Sequence, residues 1–161
     1  MFPRANGGGS GGEGGKRSTM KIFHDTFQIM TRQRLEFQDI TKKVRECLKQ
    51  HEIRNGQIIL RSLHTTVALF INEFQDALIE DLKAFVGRLV PERGGYRHDD
   101  PRFSDCERGN ADSHLRSAFL NQTLAVPVAE GEMQLGRWQS IIMAELDGPR
   151  ERTFQVHFMG E

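Results

Sequence analysis

The chain lacks net charge, has few cysteines and has no long apolar run, and each absence closes a class of function. Its 161 residues carry 22 basic and 22 acidic side chains, so the formal net charge is zero. A neutral chain has no overall field to draw it to nucleic acid or to an anionic membrane, although a local basic pocket stays open. The phenylalanines are not interleaved with a basic stripe, so no stacking platform for nucleic acid is expected. The longest purely apolar run covers residues 67–71, far short of the roughly 20 residues that span a bilayer. No N-terminal stretch has the apolar core of a signal peptide, so export is not expected. Of the two cysteines, Cys47 reads as part of an apolar helix face and Cys106 lies in a polar loop. Neither a disulfide framework nor a cysteine metal pair follows, and a reducing cytoplasm is the simpler setting.

What is present divides the chain in two. Residues 1–19 are rich in glycine and serine and hold no core-forming pattern, which predicts a disordered tail. From residue 20 to 161 a single domain is expected. Residues 21–31 read as a strand, with Phe23, Phe27 and Ile29 on one face at period two. Ile40, Val44, Cys47 and Leu48 follow helical spacing, with Asp39 placed to accept from the first free amides. Asn55-Gly56 predicts a turn. Residues 58–72 read as one long strand, or two meeting at a bend, with His64-Thr65-Thr66 in the middle. Ala77, Leu78, Leu82, Phe85, Val86 and Leu89 form a second amphipathic helix, stopped before Pro91.

Residues 91–109 predict a long loop carrying His98. A short helix over 111–121 follows, with Asn110 as its cap and Leu115, Ala118 and Phe119 as its buried stripe. Strands are expected over 123–128, 132–135, 138–146 and 153–159. Strands at both ends with helices between them predict an α+β fold on mostly antiparallel sheet.

Three histidines stand beside polar or turn signatures: His64, His98 and His114. Imidazole suits zinc-like ions, and three protein ligands leave one coordination position open for chemistry. Each also has an ordinary reading. His64 can be a hydrogen-bonded core residue, His98 a solvated loop residue, and His114 a surface residue at a core edge. The spacings of 34 and 16 residues match no local metal motif. His24, His51 and His157 carry only structural readings. Glu145 falls near the end of a strand that is apolar on both faces. It needs either an arginine partner, with Arg137, Arg150 and Arg152 available, or a metal beside it. Asn72 and Glu73 read as helix entry or pocket wall.

Several short segments occur together in order: His64-Thr65-Thr66, Ile71-Asn72-Glu73, Tyr96-x-His98-Asp99, Asn110 through His114-Leu115, Pro127-Val128 with Gly131, Leu135-Gly136-x-Trp138-Gln139, and Glu145-x-Asp147-Gly148-x-Arg150. In these segments the chain, over about residues 20–161, resembles the YjbQ family of secondary thiamine-phosphate synthases. Two positions depart from the usual pattern. Val67-Ala68 replaces a small Ala-Gly step, and Asn121 stands where a glycine often ends the short helix, though asparagine also tolerates a left-handed backbone.

The resemblance implies a compact α+β fold, a homotrimer, and His64, His98 and His114 converging on a divalent, zinc-like metal. It implies a weak synthase joining a pyrimidine diphosphate to a thiazole phosphate with release of pyrophosphate. Thr65, Thr66, Asn72, Arg137 and Arg150 are the candidate contacts to a phosphorylated small-molecule substrate, with Arg97 and Arg116 as further cations. Glu73, Asp99 and Glu145 are the candidate acids and bases. A three-histidine site suits zinc better than magnesium, the usual diphosphate partner. Metal-dependent hydrolysis or lysis of a small phosphorylated metabolite is therefore the alternative, and a non-catalytic metal- or ligand-binding trimer is the third.

Overall fold

The computed structural model describes residues 19–161, so the expected tail lies outside the described residues except for Thr19. The described chain is an α+β domain of two antiparallel sheets and three helices. The strands are β1 (Lys21–Met30), β2 (Glu36–Asp39), β3 (Gly56–Ser62), β4 (Val67–Asn72), β5 (Thr123–Ala129), β6 (Glu132–Met133), β7 (Ser140–Glu145) and β8 (Glu151–Gly160). The helices are α1 (Thr41–Lys49), α2 (Asp76–Leu89) and α3 (Ala111–Leu120), with one 3-10 turn at Arg97–Asp99. One sheet has the order β1-β8-β3-β5-β6 and the other β2-β7-β4.

Alternation explains the larger sheet. Phe27 of β1, Ile58 and Leu60 of β3, Val126 and Val128 of β5, and Phe154, Val156 and Phe158 of β8 all point inward. They meet Val44, Cys47 and Leu48 of α1 and the near face of the smaller sheet. His24 and His157 face each other in register on the outer side of this sheet, and His51 pairs with Asp25 at 2.7 Å and stacks on Phe23. These three histidines keep their structural readings.

Strand β7 is apolar on both faces because it serves two cores. Ile141 and Met143 point to the larger sheet, while Ile142 and Ala144 point to a second cluster with Ile79 and Val86 of α2. The buried run is shorter than the expected 138–146, and Trp138 is 64 % exposed outside it. Asp39 caps α1 from one position further out than a standard cap: Ile40 occupies the cap position, and the Asp39 carboxylate accepts from the Thr41 amide at 2.8 Å. Strand β2 was not expected, since four mostly polar residues give too short a pattern to read.

Helix α3 is turned the opposite way from its apolar pattern. Ala111, Asp112, Ser113, Arg116 and Ser117 are buried, while Leu115 is 47 % and Phe119 63 % exposed. Hydrogen bonds decide the orientation. Ser113 Oγ donates to the Leu146 carbonyl, Ser117 Oγ to the Val67 carbonyl at 2.9 Å, and the Arg116 guanidinium to the Val90 carbonyl. These bonds give partners to backbone oxygens at the start of β4, just after β7 and just after α2.

Candidate functional site

The histidine segments meet where the chain crosses between the two sheets. The connection from β3 to β4 carries Leu63-His64-Thr65-Thr66, and that from β7 to β8 carries Asp147 and Arg150. The crossings lie side by side, with the Leu146 amide donating to the Thr66 carbonyl at 3.2 Å and the Leu63 amide to the Thr153 carbonyl at 3.1 Å. The start of α3 brings Asn110 and His114 to the same place.

A polar cavity of about 230 Å³ results, lined among others by His64, Thr65, Thr66, His114, Asp147 and Arg150. A cleft of about 460 Å³ adjoins it, with His98, His114, Tyr96 and Leu115 on its walls. His114 belongs to both. The His98 and His114 rings meet edge to face, centroids 5.1 Å apart. A cavity of about 400 Å³ at Met20, Asn55, Met159 and Glu161 holds none of these groups.

A buried ion pair braces the floor. Glu145 is fully buried and grips Arg152 in two-point fashion, with Nε to Oε2 and Nη2 to Oε1 both 2.5 Å. Its carboxylate also accepts from Thr31 Oγ1 at 3.0 Å and from the Asp147 amide at 2.8 Å. Arg152 Nη2 continues to Thr66 Oγ1 at 3.1 Å. Both oxygens of Glu145 are thus engaged within the floor. Of the arginines available to it, Arg152 is the partner. Thr66 is buried and tied to Arg152, Thr65 is exposed, and both line the cavity.

His64 is fixed by its surroundings. Its Nε2 accepts from the Thr153 amide at 2.8 Å. A backbone amide only donates, so Nε2 is the unprotonated nitrogen and Nδ1 carries the ring proton. Burial, then the Arg152 and Arg150 charges, hold the imidazole below its ordinary protonation range. So placed, His64 offers a donor rather than a metal lone pair. His114 is also held neutral, by burial first and then by His98.

Asp99 caps α3: its Oδ1 accepts from the Ala111 amide at 2.9 Å, a role expected of Asn110. Asn110 turns its amide instead to Asp147 Oδ2 at 2.9 Å. Asn121 ends the helix at φ +89° and ψ 157°, a positive φ but an extended ψ rather than the left-handed helical conformation expected.

The remaining candidates lie elsewhere in the chain. Register pairs Val67 with Glu145 at the cavity end of the smaller sheet and Asn72 with Ser140 at the other. Five residues of strand separate those ends by about 17 Å. Asn72 ends β4 and Glu73 follows it, both exposed, the Glu73 amide donating to Asn72 Oδ1 at 2.9 Å. Arg137 lies over the exposed Trp138 ring, 4.9 Å from its centroid, just before β7 begins. These three residues do not line the cavity of their own chain. They share sequence motifs, but strand direction sends them to the far pole.

Asp147 and Arg108 are the residues that sequence reading missed. Asp147, 1 % exposed, gathers Asn110, Arg150 Nη2 at 3.1 Å and Arg108 Nε at 3.2 Å on one oxygen. Asp147 stands in the Glu145-x-Asp147-Gly148-x-Arg150 segment, but no role was expected of it. Arg108 sits in the polar loop before α3, where nothing local marks it.

For a zinc-like ion the donors fit only in part. His98 and His114 adjoin, but among the described residues no three histidine, cysteine, aspartate or glutamate side chains are grouped to hold one ion. His64 would first have to release Thr153.

A two-sheet α+β domain with a histidine- and arginine-lined pocket at its crossovers defines the class. The model of the UPF0047 protein YjbQ-like family matches residues 25–161. A UPF0047 protein of Methanothermobacter thermautotrophicus is 39 % identical over 142 residues, covering 88 % of this chain and 95 % of its own. YugU of Bacillus subtilis, also a UPF0047 protein, is 35 % identical, covering 84 % of this chain and 98 % of its own. A crystal structure from Sulfolobus solfataricus, described as a YbjQ-like protein of unknown function, superposes with a TM-score of 0.83. It is 33 % identical and covers 89 % of this chain and all of that one. The chain belongs to the UPF0047 YjbQ-like family.

Proposed function

We propose that the pocket acts on a small phosphorylated metabolite, and that its transfer activity is that of a weak, secondary thiamine-phosphate synthase. The reaction joins a pyrimidine diphosphate to a thiazole phosphate and releases pyrophosphate. One observation carries the reading: a neutral donor histidine, a free threonine and an arginine converge on one polar cavity that opens into a cleft bearing two more histidines.

In this reading His64 Nδ1–H and Thr65 donate to phosphate oxygens, and Arg150 offsets the charge that develops on the leaving diphosphate. The Glu145–Arg152 pair keeps that wall rigid. Tyr96 and Leu115 give the cleft an apolar flank suited to an aromatic ring. His98 and His114 are the residues that would hold a zinc-like ion, which would supply Lewis acidity to a bound phosphate.

Hydrolysis of a phosphorylated metabolite is the second reading. His114 favours it, because a neutral imidazole facing both cavities is a competent general base. A homotrimer, cytoplasmic in setting, completes the proposal. Among the described residues no helix is long and apolar enough to cross a membrane.

Product analysis tests the reading. Incubation with the two substrates is expected to give thiamine phosphate and pyrophosphate, with loss of at least tenfold in His98→Ala and His114→Ala. Free phosphate or hydrolysed pyrimidine as the only product selects hydrolysis. Equal turnover in parent and variants contradicts both.

A further inference from the structure

Arginines crowd around Asp147. Asp112 and Asp147 are both buried. Asp112 is met by Arg34 Nη2 and by Arg116 Nη1, each at 2.9 Å. Asp147 is met by Arg108 and Arg150, with Arg34 Nη1 a further 3.7 Å from its other oxygen. Four guanidiniums thus surround two buried carboxylates. The exposed Glu92 lies 3.7 Å from Arg34, and Asp99 sits at the start of α3. The arginines are nevertheless shared unevenly, since Asp147 alone is approached by three of them.

Two details mark a place for an anion. Arg150 Nη2 is buried and, though close to Asp147, makes no hydrogen bond of acceptable geometry. Its side chain lines the polar cavity opposite His64 and Thr65. Arg108 reaches the same Asp147 oxygen from the loop before α3, yet stays 57 % exposed and therefore free to swing. Three nitrogens crowd that single oxygen, and of these the Asn110 amide donates a hydrogen bond to it.

We propose that Arg108 and Arg150 form a two-armed clamp for the phosphate or diphosphate group of the substrate, with Asp147 as the seat that holds both arms ready. An arriving phosphate offers more acceptor oxygens than the one the arms share, so each guanidinium gains a better partner. Asn110 and Arg34 remain to satisfy Asp147. The loop that carries Arg108 thereby sets which phosphorylated compounds are held. Arg108 takes the second phosphate contact that Arg137, at the far pole, cannot make within this chain.

This inference deepens the proposed function and rests on its phosphate chemistry. Its test needs neither turnover nor a metal: calorimetric titration of inorganic pyrophosphate into the full chain after chelator treatment. The parent is expected to bind. Arg108→Ala and Arg150→Ala are each expected to weaken binding about tenfold, which is about 1.4 kcal/mol. Arg108→Lys is expected to recover part of the loss, since it keeps the charge without the two-point geometry. Unchanged circular dichroism in the exposed Arg108 variants guards against unfolding.

Arg108→Ala binding within twofold of the parent overturns the clamp, as does a parent that binds no pyrophosphate. If pyrophosphate binding needs both arginines and no thiamine phosphate is made, the clamp stands and the synthase reading fails. If coupling proceeds in Arg108→Ala as in the parent, the clamp fails and the synthase reading stands.

Discussion

At the scale of single residues, the site is decided by what each side chain already holds. His64 shows this best. Its Thr153 bond exists only while Nε2 is unprotonated, and burial favours the same neutral form. The sign follows. A histidine whose folded protonation range is lowered contributes stability that is present above its unfolded value of about 6.5. That contribution is lost as pH falls from there through the lowered folded value. Urea unfolding at pH 7.5 and at steps down to 5 is expected to show stability falling below about 6.5, and His64→Ala to flatten that part of the profile. His114 shares the direction and adds to the slope. A parent profile flat between 7.5 and 5 contradicts the assignment.

Glu145 makes the complementary case. It was legible as a carboxylate in trouble, because an acid at the end of an apolar strand must find a partner. Which arginine answers was not legible, since that depends on how β8 of the larger sheet packs against β7 of the smaller one. Glu145→Gln leaves Arg152 with a buried charge and half its contacts. Removing one member of a buried pair costs about 3–5 kcal/mol, a loss that thermal and urea unfolding will read. A change under about 1 kcal/mol would mean the floor is not braced as described.

At the scale of elements, periodicity served strands well and one helix badly. Phe23, Phe27 and Ile29 of β1 and Phe154, Val156 and Phe158 of β8 alternate as expected, because a sheet face has one inside. The bend at His64 is real: β3 and β4 belong to different sheets. Helix α3 failed the amphipathic reading because its inner face answers to carbonyls at the start of β4, just after β7 and just after α2, and serines and Arg116 meet those oxygens. The difference is measurable. Phe119→Ser, on the exposed side, is expected to shift stability by under about 0.5 kcal/mol. Ser117→Leu, against β4, is expected to cost more than about 2 kcal/mol through overpacking and an unpaired Val67 carbonyl. The reverse order would restore the apolar-stripe reading.

The cap of α3 carries the same lesson at its start. Asn110 occupies the cap position, but its amide serves Asp147, and Asp99 from the preceding turn supplies the cap. That exchange ties His98, adjacent to Asp99, to the helix that bears His114. Asp99→Ala is therefore expected to loosen the pairing of the two histidines as well as the helix. Nuclear magnetic resonance would detect both, as altered imidazole shifts and faster amide exchange at Ala111. Unchanged His98 and His114 shifts would uncouple the two effects.

At the scale of the whole molecule, two crossovers between sheets and one helix start bring distant segments to a single pocket. That convergence is why His64, Asp147 and Arg150 meet, although up to 86 residues of chain separate them. Sequence spacing holds no trace of it. The same topology sends Asn72, Glu73 and Arg137 to the far end of the smaller sheet, despite their place in neighbouring motifs.

The central claim is that this pocket couples phosphorylated substrates, and steady-state kinetics tests it most directly. Thiamine phosphate is quantified by chromatography after incubating the pyrimidine diphosphate and thiazole phosphate with parent, His114→Ala and Arg150→Ala proteins. The account predicts coupling with kcat/KM below about 10⁴ M⁻¹s⁻¹, the low end of the usual enzymatic range, reduced at least tenfold in both variants. Coupling that is absent from the parent, or equal in all three proteins, would contradict it.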